Sequence, residues 1–317
     1  MPNPQNHQLN QSSLFHNLAT NPYLLLVLAT IFWGGNITAG KLAVGHVDPS
    51  MLIIGRWAGA LLILAPIAWP HVRRDWQKLK PGLPLLAMFG ALGFTGFNIL
   101  MYNSSLHTSA INGSMEQASI PVFVLLGNLI IFGVRPRLLQ IIGLSITIIG
   151  VIWVATAGEP VRILSLSVNI GDAMVILACV FYAGYSLALR FKPKVHWLSF
   201  LAVCAFFALI TALLSQLFIS GGLSKFLELL PQITLRGWLL IAYVMLFPSI
   251  LAQLFYARGV EIIGANRASI FINLLPLTGT LLSVLLVGET FQNYHLIAAI
   301  LVICGIVLAE SSIHKTG

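Results

Sequence analysis

Long apolar stretches alternate with short polar connections over almost the whole chain. A helix of about 20 apolar residues is long enough to cross the roughly 30 Å hydrocarbon core of a bilayer. Ten stretches reach that length and predict ten transmembrane helices, at 23–43, 50–69, 83–106, 109–133, 138–157, 170–189, 197–219, 237–257, 264–287 and 293–310. The chain is therefore predicted to be an all-α polytopic membrane protein.

The amino-acid composition supports this class and excludes several others. Of the 317 residues, 58% are apolar and 8% are charged, whereas soluble domains carry about 25% charged residues. The connections between the predicted helices are too short for a separate catalytic domain, and the chain contains no Walker-type phosphate loop. We therefore predict a protein that acts inside the membrane without direct ATP hydrolysis, and not an enzyme.

The positive charges are distributed unequally between the two sides of the predicted bundle. Short cytoplasmic loops are enriched in Lys and Arg. With both termini in the cytoplasm, twelve basic residues fall on the cytoplasmic side and four on the outer side: Lys41, Arg162, Lys225 and Arg236. The net charge of +8 is therefore interpreted as a topology signal in the plasma (inner) membrane, and no nucleic acid is expected as a partner.

The two halves of the chain carry similar residues in the same order. Trp33 precedes Tyr182 by 149 residues, and Pro121 precedes Pro276 by 155. The predicted units are a polar tail at 1–22, a first five-helix repeat at 23–157, a connecting loop at 158–169, a second repeat at 170–310 and a polar tail at 311–317. Because five is odd, the second repeat enters the membrane from the opposite side. Two inverted five-helix repeats are typical of secondary transporters, whose ligand site lies near the midplane of the bilayer.

Several short motifs lie along both halves. They include Phe32-Trp33-Gly34, Lys41, Pro49, Arg56, Ser109-Ala110-Ile111, Pro121-Val122-Phe123, Gly264-Ala265, Pro276 and Gly288-Glu289. Over residues 23–310 the chain resembles the drug/metabolite transporter superfamily, EamA type. The resemblance implies a small-solute carrier, commonly an exporter of amino acids, related metabolites or drugs. The family often closes the fourth helix of each repeat with Gly-Glu, but the first repeat here has Gly133-Val134, so Glu289 is not predicted to be a proton site.

Charged residues inside the predicted helices mark candidate sites, because each costs about 2.5–3.5 kcal/mol at a helix centre. Arg56 and Glu116 lie at similar depth in the second and fourth predicted helices, so we expect a buried pair. Such a pair would be either a gate or clamp that binds a solute carboxylate, or a structural ion pair of little net stability. Glu116 is the only carboxylate that we place deep within a helix, and it is the candidate proton carrier if transport is proton-coupled.

Two predicted helices carry polar residues at helical spacing. In the fourth, Asn112, Glu116 and Ser119 share a face and Gln117 lies beside them, while Asn98 and Tyr102 share a face of the third. Hydrogen bonding between helices is the alternative to cavity lining. We predict that these residues line a solute cavity.

Aromatic and amide side chains form a second set of candidates. Trp33 lies near the middle of the first predicted helix, three residues before Asn36, and Tyr182 and Tyr185 occupy the matching positions of the second repeat. Such groups suit a flat, apolar or cationic organic solute, and plain core packing is the alternative. The second half adds three predicted inward-facing polar residues: Gln253, Tyr256 and Asn273.

Prolines and glycines indicate how the helices pack and move. Pro121 and Pro276 lie at matched positions within their helices, where proline weakens the helix locally. We predict that they are hinges for rocking of the two repeats. Five glycines predict close approach between helices: Gly55, Gly59, Gly90, Gly93 and Gly96.

Histidines and cysteines give no metal-ligand spacing, so neither a metal nor a cofactor is expected. The histidines fall in tails, loops and helix ends, where we assign them no role. The three cysteines are predicted to be buried small apolar residues: Cys179, Cys204 and Cys304.

The predicted function is a secondary transporter, favoured as an exporter, of small organic solutes such as amino acids or related metabolites. Its expected partners are a small-molecule substrate, the lipid bilayer and, if transport is coupled, protons, in a monomer or a weak homodimer. A passive channel is one alternative, which saturable flux would distinguish. A membrane-embedded enzyme acting on lipid substrates is the other, but the predicted helices lack the paired acidic metal ligands or activated nucleophile that it needs.

Overall fold

The computed structural model describes residues 21–159 and 169–311, and these form helices without a β-strand. The helices are α1 (Pro22–Ala43), α2 (Pro49–Leu79), α3 (Leu83–Met88, Phe89–Gly96 and Phe97–Ser104), α4 (Ala110–Glu116, Gln117–Ser119 and Ile120–Phe132), α5 (Leu138–Ala155), α6 (Ile170–Ala188), α7 (Trp197–Phe218), α8 (Gly222–Leu229), α9 (Leu235–Leu246, Phe247–Leu251 and Ala252–Ile263), α10 (Ala265–Ile272, Leu275–Leu282 and Ser283–Val287) and α11 (Asn293–Ser311). Nearly all of the predicted N-terminal tail, most of the connecting loop with Arg162, and all but the first residue of the predicted C-terminal tail lie outside the described residues.

Within the described residues, seven helical runs are long and apolar enough to cross a membrane, and one of them, Pro49–Ser104, is 56 residues long and contains two predicted spans. Two shorter apolar helices, Leu275–Val287 and Asn293–Ala309, match the last two predicted spans. The prediction of an all-α polytopic membrane protein is therefore confirmed.

Polar residues fix where several helices begin. The side chains of Asn21, Asp48, Ser109, Asn169 and Thr234 each accept a hydrogen bond from a backbone N–H in the first turn of α1, α2, α4, α6 and α9. These first-turn N–H groups have no partner within the helix, so a side-chain cap stabilises each start by about 1 kcal/mol. Single polar residues in five of the short connections therefore act as helix caps.

Two faces of the bundle are defined by the loops that meet there. On the first, which we name the α8 face, the His46 carbonyl accepts a hydrogen bond from the Thr234 N–H at 3.1 Å, and His107 and Asn169 also meet. On the second, which we name the basic face, Asp75 Oδ2 accepts a bond from the His196 N–H at 2.8 Å. The helices run between these two faces.

The largest apolar core lies between α2, α3, α7 and α9. The rings of Trp57 and Phe94 stack there with centroids 5.0 Å apart. The predicted close approach at the glycines is confirmed, because a Cβ at Gly55 would press on Ile241 and one at Gly90 on the α7 backbone at Cys204. This core holds α2 and α3 in the register that places their polar residues together.

The α5–α11 contact offers a test of the packing. A Cβ at Gly305 would overlap the Gly143 carbonyl oxygen and Thr147 Oγ1, whereas nothing lies within 4 Å of a Cβ at Gly184. Gly305→Ala is therefore expected to destabilise by about 1–3 kcal/mol through overpacking. Gly184→Ala should be neutral or stabilise by about 0.5–1 kcal/mol, since alanine is the better helix former. Thermal unfolding in detergent compares the two variants, and equal shifts would contradict this packing.

Candidate solute-binding site

Arg56 lies at the centre of a buried polar group that joins four helices. Its side chain is 5% exposed. Nη1 donates to Asn36 Oδ1 at 2.8 Å, to Asn98 Oδ1 at 2.7 Å and to the Tyr102 hydroxyl at 2.7 Å, while Nε donates to Ser249 Oγ at 2.6 Å. We name these five residues the arginine cluster. Four of them, Asn36, Arg56, Asn98 and Tyr102, were candidates from the sequence, and the structure places these four in contact.

Ser249 is the member that sequence reasoning missed. It lies in Phe247–Leu251, a π-helical segment of α9 that includes Pro248. Because proline has no N–H to donate, the regular helical ladder is interrupted there, and Ser249 Oγ donates instead to the Val244 carbonyl at 2.7 Å. Single π-helical turns are frequent at functional sites. The sequence feature that could have identified Ser249 is the Pro248-Ser249 pair inside an apolar stretch.

The charge of Arg56 is not balanced by an acidic side chain in the described part of the chain. Its hydrogen-bond partners are neutral, and Nη2 donates no hydrogen bond to a described residue. The guanidinium also lies 4.9 Å from the ring centroid of Trp57, a favourable cation–π contact. Since a guanidinium stays protonated in proteins, the cluster presents a buried positive charge.

The predicted Arg56–Glu116 pair is therefore wrong. Arg56 faces α1, α3 and α9 through its four hydrogen-bond partners. Glu116 instead lies where α4 packs on α6, with Asp172 beside it and the Cys179 Sγ 3.8 Å from its backbone oxygen. Similar depth in the membrane did not bring the two side chains to the same side of the bundle.

Glu116 and Asp172 form what we name the carboxyl pair. Glu116 is fully buried, and neither carboxyl oxygen accepts a hydrogen bond from a donor among the described residues. The group that it meets is the Asp172 carboxyl, which is 2% exposed and accepts a hydrogen bond from Thr108 Oγ1. Asp172 lies in the first turn of α6, so it is a second buried carboxyl group at the end of a helix and not one deep within it. Asp172 escaped notice because acidic residues in the first turn of a helix are common for helix-dipole reasons alone.

The remaining polar residues of α4 differ in their hydrogen bonding. Asn112 Oδ1 lies 3.1 Å from Nε2 of His295, which is 2% exposed, so this buried histidine has a side-chain partner that the sequence did not predict. Gln117 Nε2 donates to the Gly113 carbonyl at 3.2 Å. The buried Ser119 hydroxyl has no hydrogen-bond partner among the described residues. Asn112 therefore fits the alternative of bonding between helices.

The aromatic candidates form two partly buried pairs. Trp33 donates from Nε1 to the Pro248 carbonyl at 3.1 Å, and its ring centroid lies 5.3 Å from that of Tyr256. The rings of Tyr182 and Tyr185 lie 5.5 Å apart. Trp33 is thus tied to the same π-helical segment of α9 that supplies Ser249.

The last predicted polar residues and the prolines lie at or near helix irregularities. Gln253 lies two residues after the π-helical segment of α9, and Asn273 lies at the break within α10. Both residues are partly buried. Pro121 and Pro276 each lie in the first turn of the helical segment that follows a break. Proline suits a first turn because its missing N–H would be unpaired there.

Cys179 and Cys204 are buried as predicted, but Cys304 is exposed on α11. The prediction for Cys304 was wrong because a helix that faces lipid is apolar on its outer side too, so an apolar neighbourhood in sequence does not distinguish core from lipid.

Glu289 has a role that the sequence did not indicate. Its carboxyl oxygens accept bonds from the backbone N–H groups of Ala110 and Ile111 at 2.8 and 2.9 Å. The end of α10 in the second half of the chain therefore caps the start of α4 in the first half.

Removing this cap is expected to loosen α4. Glu289→Ala leaves two N–H groups without their acceptors and should lower the free energy of unfolding by about 0.5–2 kcal/mol, the range of helix caps. Thermal unfolding in detergent measures the effect, with Glu228→Ala as control because Glu228 lies on the exposed surface of α8. If both variants unfold at the same temperature, the cap does not stabilise α4.

A cavity of about 290 Å³ opens on the α8 face beside the arginine cluster. Its walls include Gly40, Leu52, Tyr102 and Gln232. Ligand pockets start at about 300 Å³, so its volume suits a small organic molecule. Because the Tyr102 hydroxyl accepts a bond from Arg56, Tyr102 lies between the cavity and the buried charge.

Comparison with known proteins identifies the class. The chain matches the model of the EamA-like transporter family over residues 20–156 and again over 169–310. It is 28% identical to the uncharacterized transporter YyaM of Bacillus subtilis, over 92% of this chain and 94% of that protein. It is 22% identical to a probable amino-acid metabolite efflux pump of Salmonella typhimurium, over 89% of this chain and 92% of that protein. A solved crystal structure shares the fold, with a TM-score of 0.62 at 19% identity over 93% of this chain and 98% of that one.

The fold and these matches define an integral, multi-pass membrane transporter of small solutes, not an enzyme. The chain belongs to the EamA-like transporter family.

Proposed function

We propose that this protein exports amino acids or closely related metabolites across the inner membrane, and that the arginine cluster binds the carboxylate of the solute. The observation that carries the proposal is the buried Arg56 guanidinium, whose partners in the described part of the chain are neutral. A solute carboxylate would balance the charge and bind the guanidinium bidentately. The relative from Salmonella typhimurium, which is named a probable amino-acid metabolite efflux pump, supports this choice of solute.

The neighbouring side chains support the same solute class. Tyr102 and Asn36 add hydroxyl and amide groups that orient a small zwitterion. Trp33 and Tyr256 supply an aromatic wall joined through Pro248 to the segment that holds Ser249. Pockets that combine apolar walls with a few fixed polar groups are typical of small-molecule sites.

Transport by alternating access would use two inverted five-helix repeats, with Pro121 and Pro276 as hinges and Trp33, Tyr182, Tyr185, Gln253, Tyr256 and Asn273 along the solute path. The helix breaks directly before both prolines support the hinge role. In this proposal both termini are cytoplasmic, so the basic face is cytoplasmic as the distribution of Lys and Arg favours. The carrier would work as a monomer or weak homodimer, with protons as the coupling ion.

A ligand screen by thermal unfolding tests the substrate class. Purified protein in detergent is heated with amino acids, nucleosides, polyamines or cationic drugs. A ligand at 100 times its Kd stabilises by about 2.7 kcal/mol, so a dose-dependent rise with amino acids is expected. Stabilisation by polyamines or cationic drugs, with no response to amino acids at millimolar concentration, would contradict the proposal.

A further inference from the structure

The carboxyl pair lies at the contact between the two halves of the chain. Glu116 is the last residue of the first segment of α4, immediately before the break that leads to Pro121. Asp172 lies in the first turn of α6, the first helix of the second half. A change in the break of α4 would therefore alter the surroundings of Glu116.

Other charged and titratable groups around the pair are already engaged. From α1, Lys41 Nζ donates to the carbonyls of Ser105 and Thr108 at 2.9 and 2.7 Å. His295 of α11 faces Asn112, and Glu289, in the connection after α10, caps α4. On α6, the Cys179 thiol contacts the backbone oxygen of Glu116. None of these described groups forms an ion pair with Glu116, and its carboxyl oxygens find no donor.

Two neighbouring buried carboxyl groups repel each other when both are ionised, and such pairs hold one shared proton. The Thr108 hydroxyl satisfies one oxygen of Asp172, so a proton on the pair would supply the donor that Glu116 lacks. The site is therefore completed by a proton.

We propose that the Glu116–Asp172 pair is the coupling-proton site of the carrier. A proton binds the pair from one side of the membrane and leaves to the other, no covalent bond other than O–H changes, and export of the solute is exchanged for proton entry. This inference rests on the proposed function, since it needs a solute whose movement is coupled.

Proteoliposomes separate coupling from solute movement. The substitutions Glu116→Gln and Asp172→Asn remove the proton site, and the latter retains an Oδ1 acceptor for Thr108. Both variants are expected to retain exchange of labelled for unlabelled amino acid at equal pH, while accumulation driven by a pH gradient falls to the level of empty liposomes. Glu261→Gln is the control, because Glu261 is an exposed carboxylate paired with Arg258, and it should behave as wild type.

The outcomes separate the two proposals. Accumulation of wild-type size in Glu116→Gln under the pH gradient would overturn the proton site, as would accumulation by the wild type that follows a sodium gradient instead. If both variants lose exchange as well, a pH-sensitive dye inside wild-type vesicles decides: solute-induced proton movement supports the site and its absence overturns it. Absence of amino-acid exchange in the wild type would instead overturn the proposed function.

Discussion

Replacing Arg56 with glutamine is expected to weaken the binding of amino acids by the carrier strongly. The guanidinium is the buried cation of the site, with Nη1 shared among three acceptors. A hydrogen bond to a charged group contributes about 1.5–3 kcal/mol, so the affinity for the solute should fall roughly 10- to 100-fold. Exchange of labelled amino acid in proteoliposomes, measured over a range of concentrations, gives the half-saturation constant.

Two further variants show whether the loss reflects binding or folding. Arg56→Lys keeps the charge but not the planar fork, so it should retain partial exchange with a raised half-saturation constant. Arg258→Gln makes the same change at an exposed arginine of α9 and should leave exchange unchanged. Wild-type affinity in Arg56→Gln would contradict the assigned site.

Placing a fixed carboxylate in the arginine cluster is expected to block the site without unfolding it. Asn36 Oδ1 already accepts hydrogen bonds from Arg56 Nη1 and from the Tyr102 hydroxyl. Asn36→Asp keeps that acceptor and adds a negative charge, at the cost of the weak bond from Asn36 Nδ2 to Asn98 Oδ1 at 3.3 Å. The new ion pair would compete with a solute carboxylate, so exchange should fall at least as far as in Arg56→Gln, again roughly 10- to 100-fold.

Thermal stability distinguishes this block from damage to the fold. The unfolding temperature of Asn36→Asp should stay close to that of the wild type, because attraction to the Arg56 guanidinium offsets the cost of burying the new carboxylate. Asn103→Asp is the control: it adds a carboxylate to the same helix as Asn98 at a residue whose side chain bonds the Ile99 carbonyl, away from the arginine cluster. An Asn36→Asp protein that exchanges amino acids like the wild type would show that no solute carboxylate binds there.

The sequence predicts the helices and the individual polar residues better than it predicts the contacts between them. Apolar stretches of membrane length predicted an all-α polytopic membrane protein, and Asn36, Arg56, Asn98 and Tyr102 were candidates because polar groups are costly in lipid. Their partners did not follow from periodicity, since Arg56 and Ser249 are separated by 193 residues. Helical spacing indicates which residues share a face of a helix, but it does not indicate which neighbouring helix packs against that face.

The carboxyl pair and the Glu289 cap illustrate the same physical limit. Asp172 lies near the predicted end of a helix, where an acidic residue needs no explanation beyond the helix dipole. Its position beside Glu116 depends on α4 packing against α6. Glu289 accepts a hydrogen bond from the N–H of Ala110, which lies 179 residues away in the sequence. Both roles arise from packing between the two halves of the chain.

In the proposed mechanism a solute carboxylate binds Arg56, and the solute then crosses the membrane by exchange. Counterflow in wild-type proteoliposomes tests it most directly, with one labelled amino acid compared with its carboxamide, which has the same side chain and amino group but no negative charge. We expect saturable uptake of the amino acid that is stimulated by unlabelled amino acid inside, and little uptake of the amide. Equal exchange of the two compounds, or uptake that neither saturates nor responds to internal solute, would contradict this mechanism.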